Sequence, residues 1–283
     1  MTDAVYVGAS GAPPLSRPTF DLSGGHYIVT GGTQGLGLEI ARQLKATGAG
    51  KLVLMARTRS RGEAAVAELS NATCTAHFVE VDIADAASLQ AAAAASFEIL
   101  GDRVDGLVNA AGTTERGNLM TTTAEGFDKQ FDINARAPFL LTQALAVHLK
   151  ERKLRGASIV NISSLAAKGG APFITAYSAS KAALNVLTMN NAVELAEHGI
   201  RVNAINMGWT VTDNEHELMV KKAGAEWLTE ADAAHPMKRL LRPVDVACTV
   251  CFLLSPASTM MTGNVLDLHP DSALGLLSRK TED

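Results

Sequence analysis

The chain has 283 residues, 47% apolar and 19% charged, which supplies a large buried core and excludes a disordered chain. Twenty-five basic against 29 acidic residues leave a formal charge of −4, which argues against nucleic-acid or anionic-membrane binding. Aromatics at 5% argue against a base-stacking surface, and no apolar run approaches the ~18–20 residues of a membrane span.

Residues 1–19 contain Gly, Pro and Ser without a basic start and apolar core, so they read as a flexible arm, not a secretory signal. Residues 20–283 read as one domain. HYIVT (26–30) predicts a first strand, followed by glycines and a helix through LEIARQLKATG (38–48). KLVLMA (51–56) predicts the second strand, RGEAAVAELS (61–70) a helix, AHFVEVD (76–82) the third strand and residues 86–99 a helix. DGLVNAAG (105–112) is the fourth strand; a helix over 124–152 follows a Thr cluster able to cap it. ASIVNIS (157–163), a helix over 175–198 and IRVNAIN (200–206) continue the rhythm. The acidic stretch 212–235 interrupts it and is expected to form a substrate lid, its carboxylates facing solvent. A helix over 242–255 opens near Pro243, and GNVLDLH (263–269) is the last strand. Short apolar runs alternating with helices predict about seven parallel strands buried on both faces: a single doubly wound, Rossmann-type α/β domain.

The three cysteines, Cys74, Cys248 and Cys251, cannot build a disulfide framework and fit a reducing, cytoplasmic setting. Cys248 and Cys251 lie one turn apart in an apolar helix and read as core thiols; no metal site is expected.

TGGTQGLG (30–37) lies between the first strand and first helix. Its glycines Gly31, Gly35 and Gly37 suit a tight turn, close approach of a phosphate and close helix–strand packing. The helix N-terminus then offers N–H groups to a pyrophosphate. An acid about 20 residues on would bind the ribose hydroxyls of NAD. Here Arg57 occupies that place, with Arg59 and Arg61 behind it and no acid between Glu39 and Glu63. An arginine there favours the 2′-phosphate of NADP. NADP(H) is therefore the expected cofactor, with NAD(H) possible.

Tyr177 and Lys181 are four apart in a predicted helix and share a face. An ammonium beside a phenol lowers the phenol pKa and makes a general acid/base for a carbonyl/alcohol pair. Ser164, 13 residues before Tyr177 at a strand end, can hydrogen-bond a substrate oxygen; Ser163 would point to the other face.

These motifs, in this order from about residue 20 to 268, resemble the short-chain dehydrogenase/reductase family. TGGTQGLG resembles its cofactor turn, with Gly31, Thr33, Gln34, Gly35 and Leu36 as contacts. VDI resembles its adenine contact through Asp82 and Ile83, and NAAG its ribose-supporting element through Asn109, Ala110 and Gly112. Asn134, Ser164, Tyr177 and Lys181 match its catalytic tetrad; RVNAINMGWTVTD resembles its nicotinamide segment, with Gly208, Thr210 and Thr212 as contacts. The resemblance implies that Tyr177 exchanges the proton, Lys181 tunes it and holds the nicotinamide ribose, Ser164 orients the carbonyl, and Asn134 anchors a water relay. It also implies a homotetramer or homodimer built on the long helices near 124–152 and 175–198. Two departures stand out: Met207-Gly208 replaces the usual Pro-Gly, and Gln34 replaces the basic residue of NADP-preferring relatives. The small, apolar GGAPF (169–173) predicts a ketone with apolar flanks. Alternatives are an NAD(H)-preferring dehydrogenase and a dinucleotide sensor without turnover.

Overall fold

A computed structural model describes residues 20–269. The expected N-terminal arm and the C-terminal tail lie outside those residues. Seven strands, β1 (His26–Thr30), β2 (Lys51–Ala56), β3 (Thr75–Glu80), β4 (Gly106–Asn109), β5 (Ala157–Ser164), β6 (Ile200–Met207) and β7 (Val265–Leu268), form one sheet. Its order is β3-β2-β1-β4-β5-β6-β7 and every pairing is parallel. β5 is buried along nearly its whole length, as a strand covered on both faces must be.

Two apolar layers sandwich the sheet. Helices α1 (Gly35–Ala46), α2 (Arg59–Leu69) and α9 (Pro243–Leu254) cover one face, burying residues such as Ile40, Leu44, Leu69 and Val250. Helices α3 (Ala86–Leu100), α5 (Ala137–Glu151) and α6 (Thr175–Leu195) cover the other, with Leu89, Leu141, Leu145 and Leu195 against it. Each fully buried Leu or Ile contributes about 1.5–3 kcal/mol of transfer energy. The chain changes direction between β1 and β4, and the crevice at their carboxyl ends is where such sheets bind ligands. Thr30 fastens that junction: its hydroxyl donates to the Val108 carbonyl and accepts the Ala111 N–H at 3.0 Å.

The helix expected over 124–152 is divided. After α4 (Ala124–Phe131), residues Asp132–Arg136 form a π turn before α5 begins. Pro138 brings no N–H for the carbonyl of Asn134, so the ordinary i+4 ladder cannot pass through that position. Thr123 does cap α4, accepting the Gly126 N–H. The acidic stretch forms two helices, α7 (Asp213–Ala223) and α8 (Trp227–Ala234). Two of its acids are engaged: Glu215 accepts from Trp209 Nε1 at 2.7 Å, and Asp232 pairs with Arg242 at 2.6 Å. The expectation of two core thiols needs correction: Cys251 is buried but Cys248, three residues earlier, is exposed. Among the described residues no helix is long and apolar enough to cross a membrane.

Candidate active site

At the β1–α1 turn the cavity wall is largely backbone. Gly31 and Gly35 adopt φ of +67° and +49°, and a Cβ on Gly35 would stand in open space facing no protein atom within 4 Å. A Cβ on Gly37 would collide with the Gly31 carbonyl, which explains why the helix can start so close to the strand. No side chain caps the first turn of α1 and no acid sits in it, so its orphan N–H groups face the crevice. A cavity of about 320 Å³ runs from there between the β2 and β4 ends. Eleven predicted cofactor contacts line it: Gly31, Thr33, Gln34, Gly35 and Leu36 from the turn, Arg57 after β2, Asp82 and Ile83 after β3, Ala110 and Gly112 after β4, and Thr212 ahead of α7. Open glycine surface, uncapped amides and a cation at one end fit a pyrophosphate-containing dinucleotide.

The three arginines differ in their engagement. Arg59 pairs with Glu80 at 2.8 Å, and Arg61 donates to Gln34 Oε1. Arg57 is exposed at the cavity and has no ion-pair or hydrogen-bond partner among the described residues. Asn109 does not reach the cavity; its amide donates to Asn161 at 2.8 Å, and Asn161 donates to Thr188, tying β4 through β5 to α6. Thr210 is also turned inward, donating to the Gly208 carbonyl at 3.1 Å. The ring of His269 lies hard against Gly208, leaving no room for a Cβ there.

The second half of the site is made of side chains. Ser164 ends β5 with its hydroxyl accepting the Ala166 N–H at 3.1 Å. Ser163 points the other way and donates to the Lys181 carbonyl. The side chains of Ser164 and Thr114 stand near the Tyr177 hydroxyl and act on its proton. Lys181, almost fully buried one turn further along α6, donates through Nζ to the Ile162 carbonyl at 2.7 Å. Asn134 is completely buried in the π turn: Oδ1 accepts the Thr113 N–H at 3.0 Å, and Nδ2 donates to the Thr113 carbonyl and Ser180 Oγ. A Cβ on Gly112 would lie 3.2 Å from Asn134 Oδ1 and 3.6 Å from Lys181 Nζ. The cavity lining therefore adjoins Asn134 and Lys181 at Gly112.

Burial governs both titrating groups. It holds the Tyr177 phenol above its ordinary value, with the Ser164 and Thr114 hydroxyls pulling the other way. It pushes Lys181 down to about 8. The lowering of the phenol pKa expected from Lys181 is therefore not the net effect here: Nζ lies 5.9 Å from the Tyr177 ring centroid, and desolvation of the phenolate is the larger effect.

Sequence reasoning missed Thr114, which sits in a segment without periodicity, and Asn214, which joins Thr212 along the cavity. A larger hollow of about 600 Å³ lies between α3 and α5, but it holds none of the predicted site residues.

Comparison with known proteins identifies the family. The family model described as "Enoyl-(Acyl carrier protein) reductase" matches residues 31–269. The oxidoreductase UcpA of Salmonella typhimurium is 37% identical over 253 residues, covering 87% of this chain and 94% of its own. The cyclopentanol dehydrogenase of Comamonas testosteroni is 33% identical, covering 84% and 93%. A solved structure described as an NAD(P)-dependent gluconate 5-dehydrogenase from Beutenbergia cavernae, with NADP bound at low occupancy, superposes with a TM-score of 0.79 at 29% identity, covering 88% and 97%. The chain belongs to the short-chain dehydrogenase/reductase family and is an NAD(P)-dependent oxidoreductase.

Proposed function

We propose that the protein interconverts a ketone and a secondary alcohol with NADP(H) as cofactor. The observation that carries this reading is the convergence of Ser164, Tyr177, Lys181 and Asn134 at the Gly112 end of a dinucleotide cavity whose other end holds the unpaired Arg57. The nicotinamide supplies or accepts the hydride. Tyr177 exchanges the proton with the substrate oxygen, and Ser164, placed near that phenol, orients the same oxygen. Lys181 favours the phenolate once the site is engaged and holds the nicotinamide ribose. Asn134, whose carbonyl lacks its ordinary helical partner because of Pro138, holds the water through which the proton reaches solvent.

The NADP(H) preference rests on Arg57, with the Arg61 guanidinium held beside it by Gln34. Gln34 in place of a cation and Asp82 at the cavity are the observations favouring NAD(H) as the second reading. Residues 212–235 are proposed as the lid: Thr212 lines the cavity and caps α7. A homodimer or homotetramer is supported by α6, which exposes Val186, Met189 and Val193 at helical spacing, and by Phe139 and Val147 on α5. A cytoplasmic location accords with the free cysteines.

The test is oxidation of NADPH and NADH, followed at the nicotinamide absorbance, against ketones, diketones, quinones and keto esters. The expected result is turnover that is faster with NADPH. Turnover with NADH alone contradicts the role of Arg57, and cofactor binding without turnover of any carbonyl contradicts the reaction.

A further inference from the structure

Between Gly112 and α4 the chain runs through Thr113, Thr114, Glu115, Arg116 and Gly117 without regular structure, yet it is pinned at both ends. Thr113 gives both its N–H and its carbonyl to Asn134. Gly117 pairs with the residues just ahead of Tyr177: its N–H donates to the Phe173 carbonyl at 3.0 Å and its carbonyl accepts the Thr175 N–H at 3.1 Å. Thr114, inside this span, stands near enough to the Tyr177 hydroxyl to act on its proton. The next two side chains leave on different sides. Glu115 turns to α4 and is neutralised by Lys129. Arg116 instead lies over the ring of Phe173, its guanidinium carbon 5.4 Å from the ring centroid.

Arg116 is exposed and has no carboxylate partner among the described residues. Its counterpart on the loop after Ser164, Lys168, is ion-paired with Asp267. The two loops that flank Ser164 and Tyr177 therefore carry one neutralised cation and one open one. Stacking on Phe173 restricts the Arg116 side chain and leaves its fork of N–H donors free, the arrangement that binds an oxyanion in bidentate fashion. The apolar flank expected from GGAPF is in part covered by this guanidinium, because Phe173 is its last residue.

We infer that Arg116, stacked on Phe173, selects carbonyl substrates bearing an anionic group, a carboxylate or phosphate, away from the reacting carbon. This rests on the carbonyl/alcohol reading of the site. It identifies the substrate class by charge, and Arg116 as the residue that reads it.

The test compares oxo acids of graded chain length with their own methyl esters, and a phosphorylated hydroxyketone with its free hydroxyketone, using wild type, Arg116→Ala, Arg116→Lys and Phe173→Leu. In wild type at low salt, kcat/KM is expected to favour the charged member of at least one pair by about 10-fold or more, chiefly through KM. Arg116→Ala should bring that ratio near one, Arg116→Lys should retain part of it, and Phe173→Leu should lower it by loosening the guanidinium. Whether the oxo-acid or the phosphate pair shows the larger ratio identifies the anion. Equal rates for charged and uncharged members in wild type, or a preference that survives Arg116→Ala, overturns the inference while leaving the reaction standing. Failure of wild type to reduce any carbonyl, charged or neutral, overturns the reaction and the inference with it.

Discussion

At the β1–α1 turn the working surface is backbone, whereas around α6 it is a set of side chains, with Asn134 and Lys181 buried and Ser164 and Tyr177 partly so. The turn offers glycines and helix amides, so what matters there is volume: a Cβ on Gly37 meets the Gly31 carbonyl. Around Tyr177 the volumes are ordinary and what matters is which atom sits at the tip of each side chain. Isosteric changes should leave the first region unaltered in shape but remove the chemistry of the second. Small additions should break the first and be absorbed in the second.

The largest effect expected from this contrast is on turnover. Tyr177→Phe preserves the ring and removes the proton donor, so kcat should fall about 10²–10⁴-fold in steady-state assay, the usual worth of a positioned acid/base. Gly37→Ala is its opposite in kind. The Cβ must displace backbone, so thermal or urea unfolding should show about 1–3 kcal/mol of lost stability, and NADPH affinity should fall with it.

Arg57→Ala probes the one strong side-chain contribution on the backbone side. Dissociation constants from nicotinamide fluorescence should rise about 10–100-fold for NADPH and change little for NADH, as for loss of a charge-assisted bond. Equal weakening of both would place the contact elsewhere.

Lys181→Met tests the buried side of the comparison through pH. Burial lowers the folded-state pKa from 10.5 to about 8, so the charged lysine penalises folding below pH 8, and the penalty fades as pH rises from 8 toward 10.5. The variant escapes the penalty but leaves the Ile162 carbonyl unpaired. Near neutral pH it should therefore be more stable than wild type by about 1 kcal/mol, although inactive, and near pH 10 that advantage should vanish or reverse. Denaturant titrations at the two pH values check the sign.

The contrast also explains what could be read from the chain. Every strand was legible because each is a short apolar run between helices; helix spacing puts Tyr177 and Lys181 on one face, and Ser164 joins them through its place at the strand end and the family resemblance. The π turn at Asn134 was not legible, since FDINARAPF reads as continuous helix until Pro138 is set against the carbonyl four residues earlier. Thr114 and Arg116 lie in a stretch with no period at all; only its pairing with residues 173–175 holds it beside the start of α6. Arg57 stands apart in sequence by its place after β2, and the neighbours Glu80 and Gln34 engage Arg59 and Arg61. Cys248 was misplaced because an apolar helix packed on one side still has an outer face.

The most direct test of the division between a binding half and a reacting half is NADPH affinity in Tyr177→Phe, measured by nicotinamide fluorescence on the same preparation whose turnover is assayed. The dissociation constant is expected to match wild type in a protein that no longer turns over. A dissociation constant that rises in step with the lost rate would show that the two halves are not separable, and would contradict that division.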